Sequence, residues 1–146
     1  IVADYFTHFS CALDAGTPEK AVQALDLHAR LCADDEGADD PNYSGFAIAL
    51  QDGPGTSVLW LHDDGQGDVE AVIAFVLHLA AVVDLTGLWG FDYALTCSRP
   101  RLEAFAGGAH VIDLGTRKSI GWISTHEWLT AAMNGEDIDA VEALVQ

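Results

Sequence analysis

The chain is 146 residues long, half of them apolar, with 23 acidic residues against 6 basic ones and a formal charge of −17. This length fits one domain with a real core, and the apolar share excludes a disordered chain. Such a charge repels nucleic acid and anionic membranes and attracts basic partners, which argues against direct nucleic-acid binding or a membrane-surface role.

The acidity is uneven: residues 1–98 carry 16 acidic and 2 basic side chains, and residues 99–146 carry 7 and 4. Cys11, Cys32 and Cys97 are odd in number, widely spaced and without a Cys-x-x-Cys pair. That pattern predicts reduced, buried thiols in a cytoplasm, not a disulfide framework or a zinc site. No basic segment followed by an apolar run opens the sequence, so no signal peptide is expected.

Tyr5 to Leu13 alternates, with Tyr5, Thr7, Phe9, Cys11 and Leu13 on one face, and predicts a strand. Asp14-Ala-Gly16 turns the chain, Thr17 is a good N-cap, and Pro18 suits the first helical position. A helix is expected to about Ala33, with Val22, Leu25, Ala29 and Cys32 on its stripe. The charged stretch Asp34 to Pro41 predicts a loop. Gly45–Gln51 and Ser57–His62 read as strands joined by the turn residues Asp52 to Thr56.

Asp68 to Asp84 predicts the central helix, about 26 Å long. After Glu70 and before Asp84 its only polar residue is His78, so it should be buried on more than one side. Asp68 is its expected N-cap, and Thr86-Gly87 its end. Leu88–Thr96 reads as a strand. Ala109–Leu114 and Ser119–Ile123 read as a second hairpin, with Gly107-Gly108 as the turn leading in. Ser124-Thr-His-Glu127 has the pattern of a capping box that opens a short helix to Met133, and Ile138, Val141, Leu144 and Val145 suggest a helical tail.

The order β-α-β, β-α-β, β-β-α predicts an α+β fold: a ferredoxin-like split β-α-β core (βαββαβ) extended by a C-terminal β-hairpin and short helix. One domain over residues 1–146 is expected, with halves 1–51 and 57–98, a hairpin-helix extension 99–133 and a helical tail 134–146. An internal repeat at an offset of 50 pairs Asp14 with Asp64, Ala21 with Ala71, Val22 with Val72, Ala24 with Ala74, Leu27 with Leu77 and His28 with His78.

Two stretches could carry function. The carboxylates Asp34, Asp35, Glu36, Asp39 and Asp40, with Asp63, Asp64, Asp68 and Glu70, could stand in for phosphates toward a basic protein partner. The segment Thr96 to His110 offers an alternative: Cys97 as a thiolate favoured by Arg99 and Arg101, His110 as a base, or the two arginines as an anion pocket. Its bland reading is a strand end and a connection. His62-Asp63-Asp64 fails the calcium-loop spacing, and the six histidines are scattered. No metal and no cofactor are therefore expected. The absence of phosphate-binding, nucleophile-elbow and zinc-protease motifs argues against an enzyme. Trp60, Trp89, Trp122 and Trp128 read as core, or in part as interface anchors.

Asp4 to Cys11, Leu88 to Phe91, Thr96 to Arg101, Gly107 to His110 and Trp122 to Trp128 together resemble a group of small bacterial proteins from mobile-element and phage-derived regions of proteobacteria. The resemblance implies a context, in which small acidic proteins often inhibit host defence systems, and carries no activity. Three readings follow. The first is a non-enzymatic acidic interaction protein, acting as a nucleic-acid mimic or an inhibitor of a nucleic-acid-binding defence protein. The second is a small-ligand or anion-binding domain, or minor enzyme, built on Cys97 to His110. The third is a structural module that forms a homodimer.

Overall fold

The computed structural model describes residues 4–36, 43–102 and 104–136. These form an α+β fold of two antiparallel sheets and three helices. β1 (Tyr5–His8) and β2 (Ser10–Asp14) lead to α1 (Pro18–Asp35); β3 (Ala47–Leu50) and β4 (Val58–His62) lead to α2 (Val69–Val83). β5 (Leu88–Cys97), β6 (Ala106–Asp113) and β7 (Lys118–Ser124) then precede α3 (Thr125–Met133). One sheet has the order β1-β5-β6-β7 and the other β2-β4-β3.

The strand expected over Tyr5–Leu13 is two strands divided at Phe9. Its alternation holds, since Phe9 and Leu13 are buried and Ser10 and Ala12 are exposed. Its hydrogen bonding changes partner midway. Before Phe9 it pairs with β5, His8 opposite Ala94; after Phe9 it pairs with β4, Ser10 opposite His62. Past that point β2 is joined to β5 by a side chain, the Trp89 indole N–H donating to the Ala12 carbonyl at 2.8 Å. The β2–β4 register passes through Cys11 opposite Leu61, two residues 50 apart.

α2 fills the centre. Ala71, Val72, Phe75, Val76, Leu79 and Ala80 are at most 1 % exposed, which accounts for its apolar sequence on nearly every side. His78 and Val82 lie on the remaining exposed strip. Asp68 caps it as expected, accepting from the Ala71 N–H at 3.3 Å. Its end comes earlier than Thr86-Gly87, at Asp84, whose backbone is left-handed with φ 57°. Thr17 caps α1 through Lys20. The buried stripe of α1 is Ala21, Ala24 and Leu27, whereas Val22 is 49 % exposed. Two alanines bring the helix close to its neighbours, so the larger Val22 is turned outward.

Gly107-Gly108 belongs to β6 and does not make a turn. Gly108 faces Tyr93, and a Cβ there would collide with the phenol. Ser124 is the N-cap of α3 but makes no side-chain capping bond, so the capping box expected from Ser124 and Glu127 does not form. Thr125 instead accepts from the Gly107 N–H at 2.9 Å and ties α3 to β6. Beyond Glu136 the tail lies outside the described residues.

Phe75 is fully buried and touches the rings of His28 and Phe46. Phe75→Ala is expected to cost about 3–5 kcal/mol of folding stability, read as a lower denaturant midpoint at unchanged slope.

Candidate functional site

The nine carboxylates singled out in the sequence divide into three groups. Asp34, Glu36, Asp64, Asp68 and Glu70 are exposed. Asp35 and Asp63 are half-buried and hold backbone. Asp39 and Asp40 lie outside the described residues. The first acidic run sits in the last turn of α1 and the second leads into α2. One short segment joins them. Asp35 Oδ2 accepts from the Tyr43 N–H at 2.6 Å, and two residues on the Gly45 carbonyl accepts from the Asp68 N–H at 3.0 Å. Gly45 has φ +109°, and a Cβ on it would lie 2.6 Å from the Asp68 Cβ. Only glycine allows so close an approach. Asp35 and Asp68, about thirty residues apart in sequence, are therefore tied to the same short segment.

The second run is strapped to the first strand. Asp63 N–H donates to the Phe9 carbonyl at 3.0 Å, and Phe9 N–H donates to Asp63 Oδ1 at 3.0 Å. Gly67 N–H donates to the Thr7 carbonyl at 3.1 Å. His8 completes the strap: Nδ1 lies 3.2 Å from Asp63 Oδ2, and Nε2 lies 3.0 Å from Thr96 Oγ1. Burial alone would raise the Asp63 pKa, but bonds from Phe9, His8 and Gly65 outweigh it and hold the carboxyl below its ordinary value.

Hydroxyl, imidazole and carboxylate in this order resemble an activated nucleophile. The cavity beside them, about 310 Å³, is lined by His8, Ser10, Asp63, Asp92 and Tyr93 and not by Thr96. The three groups link β1, β5 and the loop before α2. Sequence reasoning missed His8 and Thr96. Their partners are 55 and 88 residues away, and the sole local sign was a histidine on the polar face of an alternating strand.

The Cys97–His110 segment is not assembled into a site. Cys97 is buried opposite Tyr5, while His110 pairs with Phe91, six residues down β5. That separation is about 20 Å at the rise of a strand. Arg99 and Arg101 are exposed past the end of β5. His110 stacks on Trp122 and shares a 2.7 Å hydrogen bond with Ser119. Burial lowers its pKa, which Glu70 partly offsets. Cys11, Cys32 and Cys97 are free thiols. Burial, then Asp92, pushes the Cys11 thiol up to about 11. Among the described residues no group of His, Cys, Asp and Glu could hold a metal ion, and no helix is long and apolar enough to cross a membrane. No family model, no curated protein and no solved structure matches this chain.

Because the Asp63 pKa is lowered on folding, its stabilisation is present above the ordinary carboxyl pKa of about 4 and is lost as pH falls through the folded value. Asp63→Asn is expected to lower stability at neutral pH by about 1–3 kcal/mol. It should also flatten the decline in stability between about pH 5 and pH 3. Urea titrations across that range check both, and parallel curves for the two proteins would contradict the assignment.

Proposed function

We propose that this is a non-enzymatic acidic interaction protein that docks on a basic, nucleic-acid-binding partner and occludes its nucleic-acid groove. The observation that supports the reading is the tie, through Tyr43 and Gly45, between the acidic end of α1 at Asp35 and the start of α2 at Asp68. On this reading the exposed carboxylates Asp34, Glu36, Asp64 and Glu70 that flank these two points act together as the negative surface. Such a surface steers a basic partner into encounter and fixes its register.

The placement of the first run supports a role beyond solubility. Asp34 and Asp35 occupy the last turn of α1, and no basic residue stands there. A helix C-terminus already carries about half a negative charge, and each carboxylate there costs about 0.3–1 kcal/mol. Asp35 has a structural task there, since it accepts from the Tyr43 N–H, whereas the charge of Asp34 would serve solubility equally well elsewhere on the surface. Local rules are broken in this way chiefly at functional sites.

We also propose the ferredoxin-like split β-α-β arrangement as the scaffold. It is supported by β4 lying between β2 and β3, and by the first strand lying between β5 and β4 through its two segments. The fifty-residue repeat agrees with this, since Cys11 and Leu61 would stand on its pseudo-twofold axis. A homodimer through the face of β2-β4-β3 is a second reading. It is favoured by Trp60, 42 % exposed between Ala12 and Ala49, and a strict monomer in solution would remove it.

Neutralising the surface separates function from stability. The variant Asp34→Asn with Glu36→Gln is expected to keep or gain up to about 1 kcal/mol of stability, by relief of the helix end. Adding Asp64→Asn and Glu70→Gln should weaken capture of basic nucleic-acid-binding proteins from a bacterial lysate at least about tenfold. The wild-type interaction should weaken as the Debye length falls from about 10 Å at 0.1 M salt toward about 3 Å at 1 M. Capture that ignores both salt and the four substitutions would reduce the acidity to solubility.

A further inference from the structure

We propose that the cleft between β1, β5 and the start of α2 seats one arginine side chain of the basic partner, an inference that rests on the acidic-interaction reading above. α2 begins at Val69, and Phe91 and Ile112 of the β1-β5-β6-β7 sheet are buried in the same core as its apolar residues. The end of that sheet toward β1 is left open. An open cavity of about 580 Å³ lies there, lined by Tyr5, Thr7, Leu95, Val69, Asp68 and Glu70 among others. Its wall is rigid, because Gly67 packs directly on β1. A Cβ there would lie 2.6 Å from the Thr7 carbonyl oxygen and 2.7 Å from the Phe9 ring.

The lining has two chemistries. Tyr5, 61 % exposed, and Leu95, 36 % exposed, present apolar and aromatic surface. Asp68 and Glu70 present carboxylates. Asp68 Oδ1 caps α2, and no ion pair within the described residues takes up either group. The positive end of α2 opposes a cation here, but it amounts to about half a charge against two whole ones. Aromatic surface beside carboxylates selects a cation with an apolar stem. A guanidinium can lie flat on the Tyr5 ring and bond Glu70, while its methylenes cover Leu95 and Val69. Arginine suits this better than lysine, since its planar fork stacks and is more weakly hydrated. Glu70 belongs both to this cleft and to the acidic surface, so an arginine seated here is continuous with the wider docking face.

The test is calorimetric titration of the full chain at low salt with hexa-arginine and hexa-lysine peptides of equal charge. The arginine peptide is expected to bind about tenfold more tightly, the range of a desolvated cation–π contact. Tyr5→Ala and Leu95→Lys are expected to abolish that preference. Tyr5 and Leu95 are partly exposed, and thermal melts of both variants check that the fold is intact. Asp34→Asn should weaken both peptides alike and leave the preference in place. Equal binding of the two peptides, or a preference that survives Tyr5→Ala and Leu95→Lys, overturns the arginine seat and leaves the acidic surface standing. Failure of both peptides to bind overturns the acidic reading as well.

Discussion

The pinning of residues 63–67 to the first strand is the constraint on which the rest of this structure depends. Phe9 marks the point where that strand leaves one sheet for the other, and it is buried against Phe91. A backbone at such a crossing needs partners that neither ladder supplies, because buried unpaired N–H and C=O groups are costly. Asp63 supplies both, with its main chain and its carboxylate. The same contacts fix the approach to α2, and with it the helix that fills the core. They also set where Asp64, Asp68 and Glu70 stand. The packing at the crossing thus also fixes the backbone that carries these three carboxylates.

The opposition between charge and helix ends gives the surface its character. At the start of α2, Asp68 and Glu70 complement the helix dipole and are stabilising. At the end of α1, Asp34 and Asp35 oppose it. One half of the negative surface is therefore favourable to the fold and the other half is strained against it. The glycine at position 45, in a conformation and contact that other residues avoid, lets the segment that Asp35 holds through Tyr43 approach Asp68.

Much of the framework was legible because it is local. Thr17 before Pro18 and Asp68 before an apolar run mark helix starts by the bonds that they make to the first turn. The turn residues between Leu50 and Val58 mark a hairpin in the same way. What was not legible depends on side chains distant in sequence. The split at Phe9 comes with Trp89 reaching Ala12 across 77 residues, and alternation alone reads straight through it. The glycine pair at 107 and 108 looks like a turn until Tyr93 is placed over it. The stripe of α1 was misjudged because two alanines, weak as a hydrophobic signal, form the close-packed side. For the candidate site, the acidic runs were visible as composition, while the ties of Asp35 to Tyr43 and of Asp68 to Gly45 were not. The arrangement around Cys97 looked chemically rich because its residues are near in sequence, but along a strand thirteen residues from Cys97 to His110 turn a corner and part.

The most direct measurement is native-state hydrogen exchange of the Phe9, Asp63 and Gly67 amides. If the pinning organises the fold, all three exchange as slowly as the central ladder between β2 and β4, through global unfolding alone. Exchange at the rate of an exposed loop would mean that residues 63–67 open freely. The acidic surface and the cleft would then have no fixed geometry, and the account would fail.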